Sequence, residues 1–156
     1  MKYLWYDYQP QEMDDIETWL DEPAVKSTGL DEGFFAFYDY WAKQEGFVVG
    51  ENFWCKVVYQ GEEPLAVIAL CEYEGTLNIM EMVVHPQKRG YGIGTELLKE
   101  LLDNKGILGF DVFRSETVIF PDNDASQKAF QKAGFRHYRT HEDGTALYYA
   151  YVKAIQ

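Results

Sequence analysis

Between Val83 and Leu102 the chain reads VVHPQKRGYGIGTELLKELL: an apolar run, a loop with glycines at 90, 92 and 94, and a run with leucines at 97, 98, 101 and 102. The leucine spacing predicts an amphipathic helix over Ile93 to Asn104, so the chain passes from a strand through a glycine loop directly into a helix. Such a junction presents backbone amides and the positive end of the helix dipole to an anion, and glycine lets the loop take dihedrals that side chains resist. Two familiar phosphate loops are excluded. A nucleoside triphosphate loop places Lys and then Ser or Thr after its glycines, whereas Thr95 and Glu96 follow Gly94 here. A dinucleotide fingerprint needs GxGxxG inside a βαβ unit, and this spacing is GxGxG.

The strand before the loop belongs to a meander. NFWCKVVYQ, PLAVIALCEYE and TLNIMEMVV are β-runs separated by GEEP and by Glu74–Gly75. Upstream, KYLWYDY alternates as an opening strand, and helices are predicted over Gln11 to Leu20 and Leu30 to Gln44. In the second of these, Phe34, Phe35, Tyr38 and Trp41 fall at helical spacing and are expected mainly in the core, with a substrate-stacking role open for one or two. Downstream come a strand at ETVIF, a helix from Asp124 to Ala133, and a closing pair, GFRHYRT and TALYYAYV, around HEDG. Lys105 to Arg114 reads as loop or a short extra turn. There is no internal repeat or linker, so residues 1–156 are expected to form a single domain.

Composition narrows the chemistry. The net charge of −12 argues against nucleic acid as a partner, since that binding depends on Lys and Arg at phosphates. Its distribution is uneven: residues 1–50 hold 11 acidic and 3 basic side chains, a net of −8, whereas Val84 to Arg139 hold 7 and 9, a net of +2. The acidic half either steers a cationic substrate or simply keeps the protein soluble. No apolar run reaches the roughly 20 residues of a membrane span, and MKYLWYDYQP lacks the features of a signal peptide, so no membrane association and a cytoplasmic location are expected. Cys55 and Cys71 read as buried reduced thiols, and His85, His137 and His141 are too scattered for a metal motif.

QKRGYGIG resembles the Q/R-x-x-G-x-G/A signature of the GNAT superfamily, the GCN5-related N-acetyltransferases, with Gln87, Gly90 and Gly92 in its three defining places. A second block, NDASQKAFQKAGF from Asn123 to Phe135, is similar to that family's later N-x-x-A/S…Y/F-x-x-x-G-F motif. The predicted order β-α-α-β-β-β-α-β-α-β-β is also the family's order. The resemblance implies an α/β (α+β) fold with a mixed, mostly antiparallel sheet of about six or seven strands flanked by about four helices. It implies acetyl-CoA as cofactor, its pyrophosphate held by the loop Lys88, Arg89, Gly90, Tyr91, Gly92, Ile93, Gly94 and Thr95. Its pantetheine arm would lie along backbone groups near Met82, Val83 and Val84, with the strand ETVIF diverging to admit the thioester. By family position Asn123 and Ser126 would contact the pantetheine or the nucleotide end, and Lys88 and Arg89 would add charge near the phosphates.

The implied activity is transfer of an acetyl group from acetyl-CoA to a primary amine of a small molecule or peptide, by direct attack on the thioester. The acceptor is a candidate cation, and the protein a monomer or homodimer. Such chemistry needs a neutral nucleophile, orientation, and a route for one proton. Glu81 lies two residues before Val83, where several family members carry a glutamate near the acceptor. Strand alternation puts Glu81 and Val83 on one face and Met80, Met82 and Val84 on the other, which aims Glu81 at the acceptor side if the even set is core. Glu81 is then the general base, or else a carboxylate that binds the acceptor or supports the structure; Glu116 and Asp122 are weaker candidates. In many members a tyrosine four residues before the GF protonates the departing thiolate, and here that position is Phe130. The substitution leaves open a catalytically silent acyl-CoA-binding module of the same fold.

Overall fold

The computed structural model describes residues 1–11 and 14–154. Strand β1 (Leu4–Asp7) is followed by three short helices, α1 (Asp15–Thr18), α2 (Glu22–Thr28) and α3 (Phe34–Ala42). The meander then forms as β2 (Phe53–Gln60), β3 (Glu63–Tyr73) and β4 (Thr76–Val84). A 3-10 turn at Pro86–Lys88 leads into α4 (Ile93–Asp103), and the chain closes with β5 (Arg114–Ile119), α5 (Asp124–Lys132), β6 (Arg136–Thr140) and β7 (Leu147–Val152). The seven strands lie in the order β1-β2-β3-β4-β5-β7-β6. Only the β4–β5 pair is parallel; the other five are antiparallel.

Strand β3, interior to the sheet, is buried from Leu65 to Cys71 without alternation, because helices cover both of its faces. On one face, Leu98, Leu101 and Leu102 of α4 and Phe130 of α5 pack with Ile68, Leu70, Leu77, Ile79 and Tyr149. On the other, Ile16, Trp19, Leu30 and Phe34 from the α1–α3 region pack with Val57, Val67, Ala69 and Val83. Four adjacent leucines buried in α4 account for the i, i+1, i+4, i+5 pattern. Of the α3 aromatics, Phe34 is fully buried and Tyr38 partly so, whereas Phe35 is half exposed. Cys55 and Cys71 are free and buried. Lys105 to Arg114 contains no helix or strand before β5, yet it plugs the sheet end with Ile107 and Val112, and Phe110 packs on Trp54 at 5.4 Å.

The N-terminal third departs from the two predicted helices. Predicted Gln11 to Leu20 reduces to α1, with Glu12 and Met13 outside the described residues, and predicted Leu30 to Gln44 begins only at Phe34. Between them α2 is an additional helix. Its signals are local: the Asp21 carboxylate accepts from the Ala24 amide at 3.1 Å, Pro23 stands in the first turn and Gly29 stops it.

Candidate active site

The parallel ladder between β4 and β5 holds three residue pairs and ends at Ile79 opposite Thr117. Two hydroxyls lock this short zip: Ser115 Oγ donates to the Leu77 carbonyl at 2.8 Å and Thr117 Oγ1 to the Ile79 carbonyl at 3.0 Å. Beyond that point the strands part, so Met80 to Val84 present an edge with no β5 partner. A narrow cavity of about 90 Å³ opens in the gap. Ile79 to Met82 line it from β4, Thr117 to Phe120 from β5 and the residue after it, and Asn123, Ser126 and Phe130 from α5 and its approach. Ser27 and Thr28, at the end of α2, supply the remaining wall. Sequence reasoning missed this pair because it missed α2.

A β-bulge sets the direction of Glu81. Ala69 pairs with Glu81 and Leu70 with Ile79, which leaves Met80 as the extra residue on β4. The expected grouping of Met80 with Met82 and Val84 therefore fails. Met80 packs with Val83 against the α1–α3 cluster, while Met82 packs against the α4–α5 cluster. Both faces of β4 are core, and Glu81 stands at the bulge, beside the cavity. Burial pushes its carboxyl from 4.5 up to about 8. No Lys, Arg or His side chain lines the cavity among the described residues, so no countercharge offsets that burial.

The weaker carboxylates are placed elsewhere. Glu116 accepts from Arg114 Nη2 at 2.5 Å and from the Tyr138 hydroxyl at 3.0 Å, and neither it nor the exposed Asp122 lines the cavity. Phe130 is 4% exposed and packs edge-on against Phe135 at 4.9 Å, forming an apolar floor. Among the described residues no tyrosine lines the cavity. The buried Tyr149 hydroxyl donates to Gln127 Oε1 at 3.1 Å and accepts from Gln131 Nε2 at 3.3 Å. Asn123 caps α5, its Oδ1 accepting from the Ser126 amide at 3.1 Å.

The glycine loop follows directly. His85 Nδ1 accepts from the Gln87 amide at 3.1 Å, shaping the turn over Pro86. Gly90 and Gly92 have φ of 83° and 77°, a region that side chains with a β-carbon resist, and no atom lies within 4 Å of where that carbon would sit. Gly94 is different. A β-carbon there would meet Met82 Cε at 3.3 Å and Ala129 Cβ at 3.9 Å, so its bareness lets α4 pack closely on β4 and α5. Gly92 caps α4 without a side-chain acceptor, and the amides of Ile93, Gly94 and Thr95 have no protein acceptor among the described residues. Together with the open space over Gly90 and Gly92, they form a cradle for an anion at one end of the splay.

Arg89 does not add charge there in the expected way. Its Nε donates to the Val84 carbonyl at 3.0 Å, its Nη1 to both Asp21 oxygens at 2.9 Å, and its Nη2 to the Trp19 carbonyl at 2.8 Å. Every guanidinium nitrogen is engaged by protein, and the pairing holds the Asp21 carboxyl below its ordinary range. Lys88 Nζ lies 3.6 Å from Glu63, while Gln87 and Tyr91 are exposed.

A family model described as an acetyltransferase (GNAT) domain matches residues 38–137. Among solved structures, aminoglycoside acetyltransferase AAC(6')-Ib with coenzyme A and kanamycin superposes with a TM-score of 0.73 at 17% identity, covering 97% of this chain and 95% of that one. Spermidine N-acetyltransferase from Vibrio cholerae with CoA and spermine gives 0.73 at 11%, covering 97% and 95%. The ribosomal-protein-S18-alanine N-acetyltransferase from Escherichia coli gives 0.66 at 15%, covering 99% and 96%. No curated protein matches the chain in sequence. At these identities the structural likeness is one of fold.

Proposed function

The chain belongs to the GNAT acetyltransferase domain family, and from that premise we propose that it transfers an acetyl group from acetyl-CoA to a primary amine that enters the β4–β5 cavity as a cation. The observation that carries this reading is a partly buried carboxyl with no countercharge, Glu81, lining the cavity at the splay beside a glycine-loop anion cradle.

The residues present fit the cofactor. The amides of Ile93 to Thr95 and the open backbone at Gly90 and Gly92 would hold the pyrophosphate. The Val84 carbonyl is already taken by Arg89, which leaves Met80 to Val83 as the stretch of edge along which an extended arm would lie. Acetyl-CoA supplies, when bound, a thioester already activated toward amines.

The protein's task is then to orient the amine and remove its proton. An alkylamine has a pKa of about 10.4 in water and must lose a proton before it attacks. An ordinary carboxylate is too weak a base for this, but one pushed up to about 8 is far closer to the amine and to working pH. The value of about 8 belongs to the unliganded cavity; an ammonium beside Glu81 favours the ionised carboxylate and lowers it, so the ion pair draws the amine in before the proton is passed. Ser27 and Thr28 bring the negative end of α2 to the opposite wall, which favours a cation in the same place. Phe130 closes the floor and gives no proton; the thiolate of coenzyme A, with a thiol pKa of about 8.5, is a tolerable leaving group without an acid, and the second proton, shed by the nitrogen as the amide forms, goes to that thiolate or to solvent.

Mixing the protein with acetyl-CoA and a panel of amines, among them spermidine, kanamycin and an N-terminal alanine peptide, while following free thiol tests the proposal. Amine-dependent thiol release supports it. Tight binding without release across the panel would favour the silent acyl-CoA-binding module instead. Two further outcomes are expected. Phe130→Leu should keep turnover within about tenfold, since near-isosteric apolar swaps are tolerated, and new activity appearing only in Phe130→Tyr would contradict the role given to the floor. If the acidic excess of residues 1–50 steers the acceptor, raising salt from about 20 to about 200 mM should lower kcat/KM several-fold and leave kcat nearly unchanged. A preference for neutral or anionic acceptors would contradict it.

A further inference from the structure

Resting on the acetyl-CoA reading, we propose that Arg89 and Asp21 are positioning residues that couple the glycine loop to the acceptor wall, so that coenzyme A on the loop orders α2. The two residues are 68 positions apart, and the four contacts of one guanidinium join three parts of the molecule. The Val84 carbonyl is the end of β4, the Trp19 carbonyl lies just beyond α1, and Asp21 is the residue that caps α2. The backbone of Arg89 lies inside the loop, directly before Gly90. Helix α2 has seven residues, about 10 Å of rod at 1.5 Å per residue. Its far end carries Ser27 and Thr28 to the cavity.

Geometry makes this a stiff link. The guanidinium is planar and rigid: Nη1 alone spans the Asp21 carboxylate while Nε and Nη2 are held in the same plane by two backbone carbonyls, so displacement of one partner is passed to the others. Both Asp21 oxygens are used at 2.9 Å, and Nε and Nη2 fix the orientation of the fork at two carbonyls. A lysine would keep the charge and lose the orientation. Ordering the loop around an anion therefore restrains Arg89, and through Asp21 it restrains the first turn of α2.

Asp21→Asn separates this role from simple support, because asparagine caps a helix as well as aspartate does and yet removes the charge. Calorimetry with coenzyme A alone, paired with amide hydrogen exchange on α2, provides the test. In the wild type, saturating coenzyme A should slow exchange at the Val25 and Gly29 amides, which bond to the Asp21 and Val25 carbonyls, by about fivefold or more. In Asp21→Asn coenzyme A should still bind, within about tenfold of the wild type, but the slowing at α2 should vanish. Arg89→Lys should behave in the same way. Slowing that persists in both variants overturns the coupling, as does wild-type binding that leaves α2 exchange unchanged. Absence of any coenzyme A binding by the wild type would overturn the cofactor reading itself, and the coupling with it.

Discussion

Glu81→Gln is expected to lower turnover by about 100-fold or more at pH 8, with a much smaller change in the Michaelis constant for the amine. Glutamine keeps the shape of the side chain and its place at the bulge, so the loss reports the missing proton acceptor rather than a collapsed cavity. The wild-type kcat/KM should rise with pH through about 8, where Glu81 gives up its proton, and the variant should lose that limb. Stability should move the other way. A carboxyl whose folded pKa is raised from 4.5 to about 8 favours the fold fully below pH 4.5, and that contribution is lost as pH rises through 8. Glu81→Gln should therefore be more stable than the wild type at pH 9, by about 2–4 kcal/mol, and nearly equal to it at pH 4. Equal turnover in the two proteins across the pH range would remove Glu81 as the base.

Gly92→Val should weaken coenzyme A binding at least about tenfold, or roughly 1.4 kcal/mol. Valine resists the left-handed backbone found here, φ 77° and ψ 12°, and this residue orients the first free amides of α4. No protein atom lies within 4 Å of the added carbon, so the variant should fold. Gly92→Asn separates the two sources of the loss, because asparagine tolerates this conformation. If backbone strain alone is responsible, Asn restores most of the affinity; if the phosphate needs the space, Asn stays weak. Unchanged affinity in folded Gly92→Val would remove the loop as the anion site.

Much of this arrangement was legible in the residues, for identifiable reasons. β4 was read with its bounds Thr76–Val84 because a Glu-Gly turn opens it and His85–Pro86 closes it, and α4 to within one residue because its leucines keep an uninterrupted helical period. The splay was expected only through family resemblance, since no local pattern says where a parallel ladder stops. Helix α2 was missed although Asp21, Pro23 and Gly29 mark its ends, because seven residues are too few to show an apolar period. The bulge at Met80 was missed because register depends on the neighbouring strand, and it changed which side chains share a face. Arg89 was read as a phosphate ligand from its neighbours in the chain. Its real partners, Trp19 and Asp21, are far away in sequence. Gly94 shows the same limit: two of the three glycines serve loop conformation and the third serves packing, and the spacing makes them look alike.

The most direct test of the central claim is a crystal structure with coenzyme A bound. The pyrophosphate should lie against the amides of Ile93, Gly94 and Thr95, the arm along the free edge of β4, and the thiol in the cavity beside Glu81. A pyrophosphate away from the α4 N-terminus, or a thiol that ends outside the β4–β5 gap, would contradict the account.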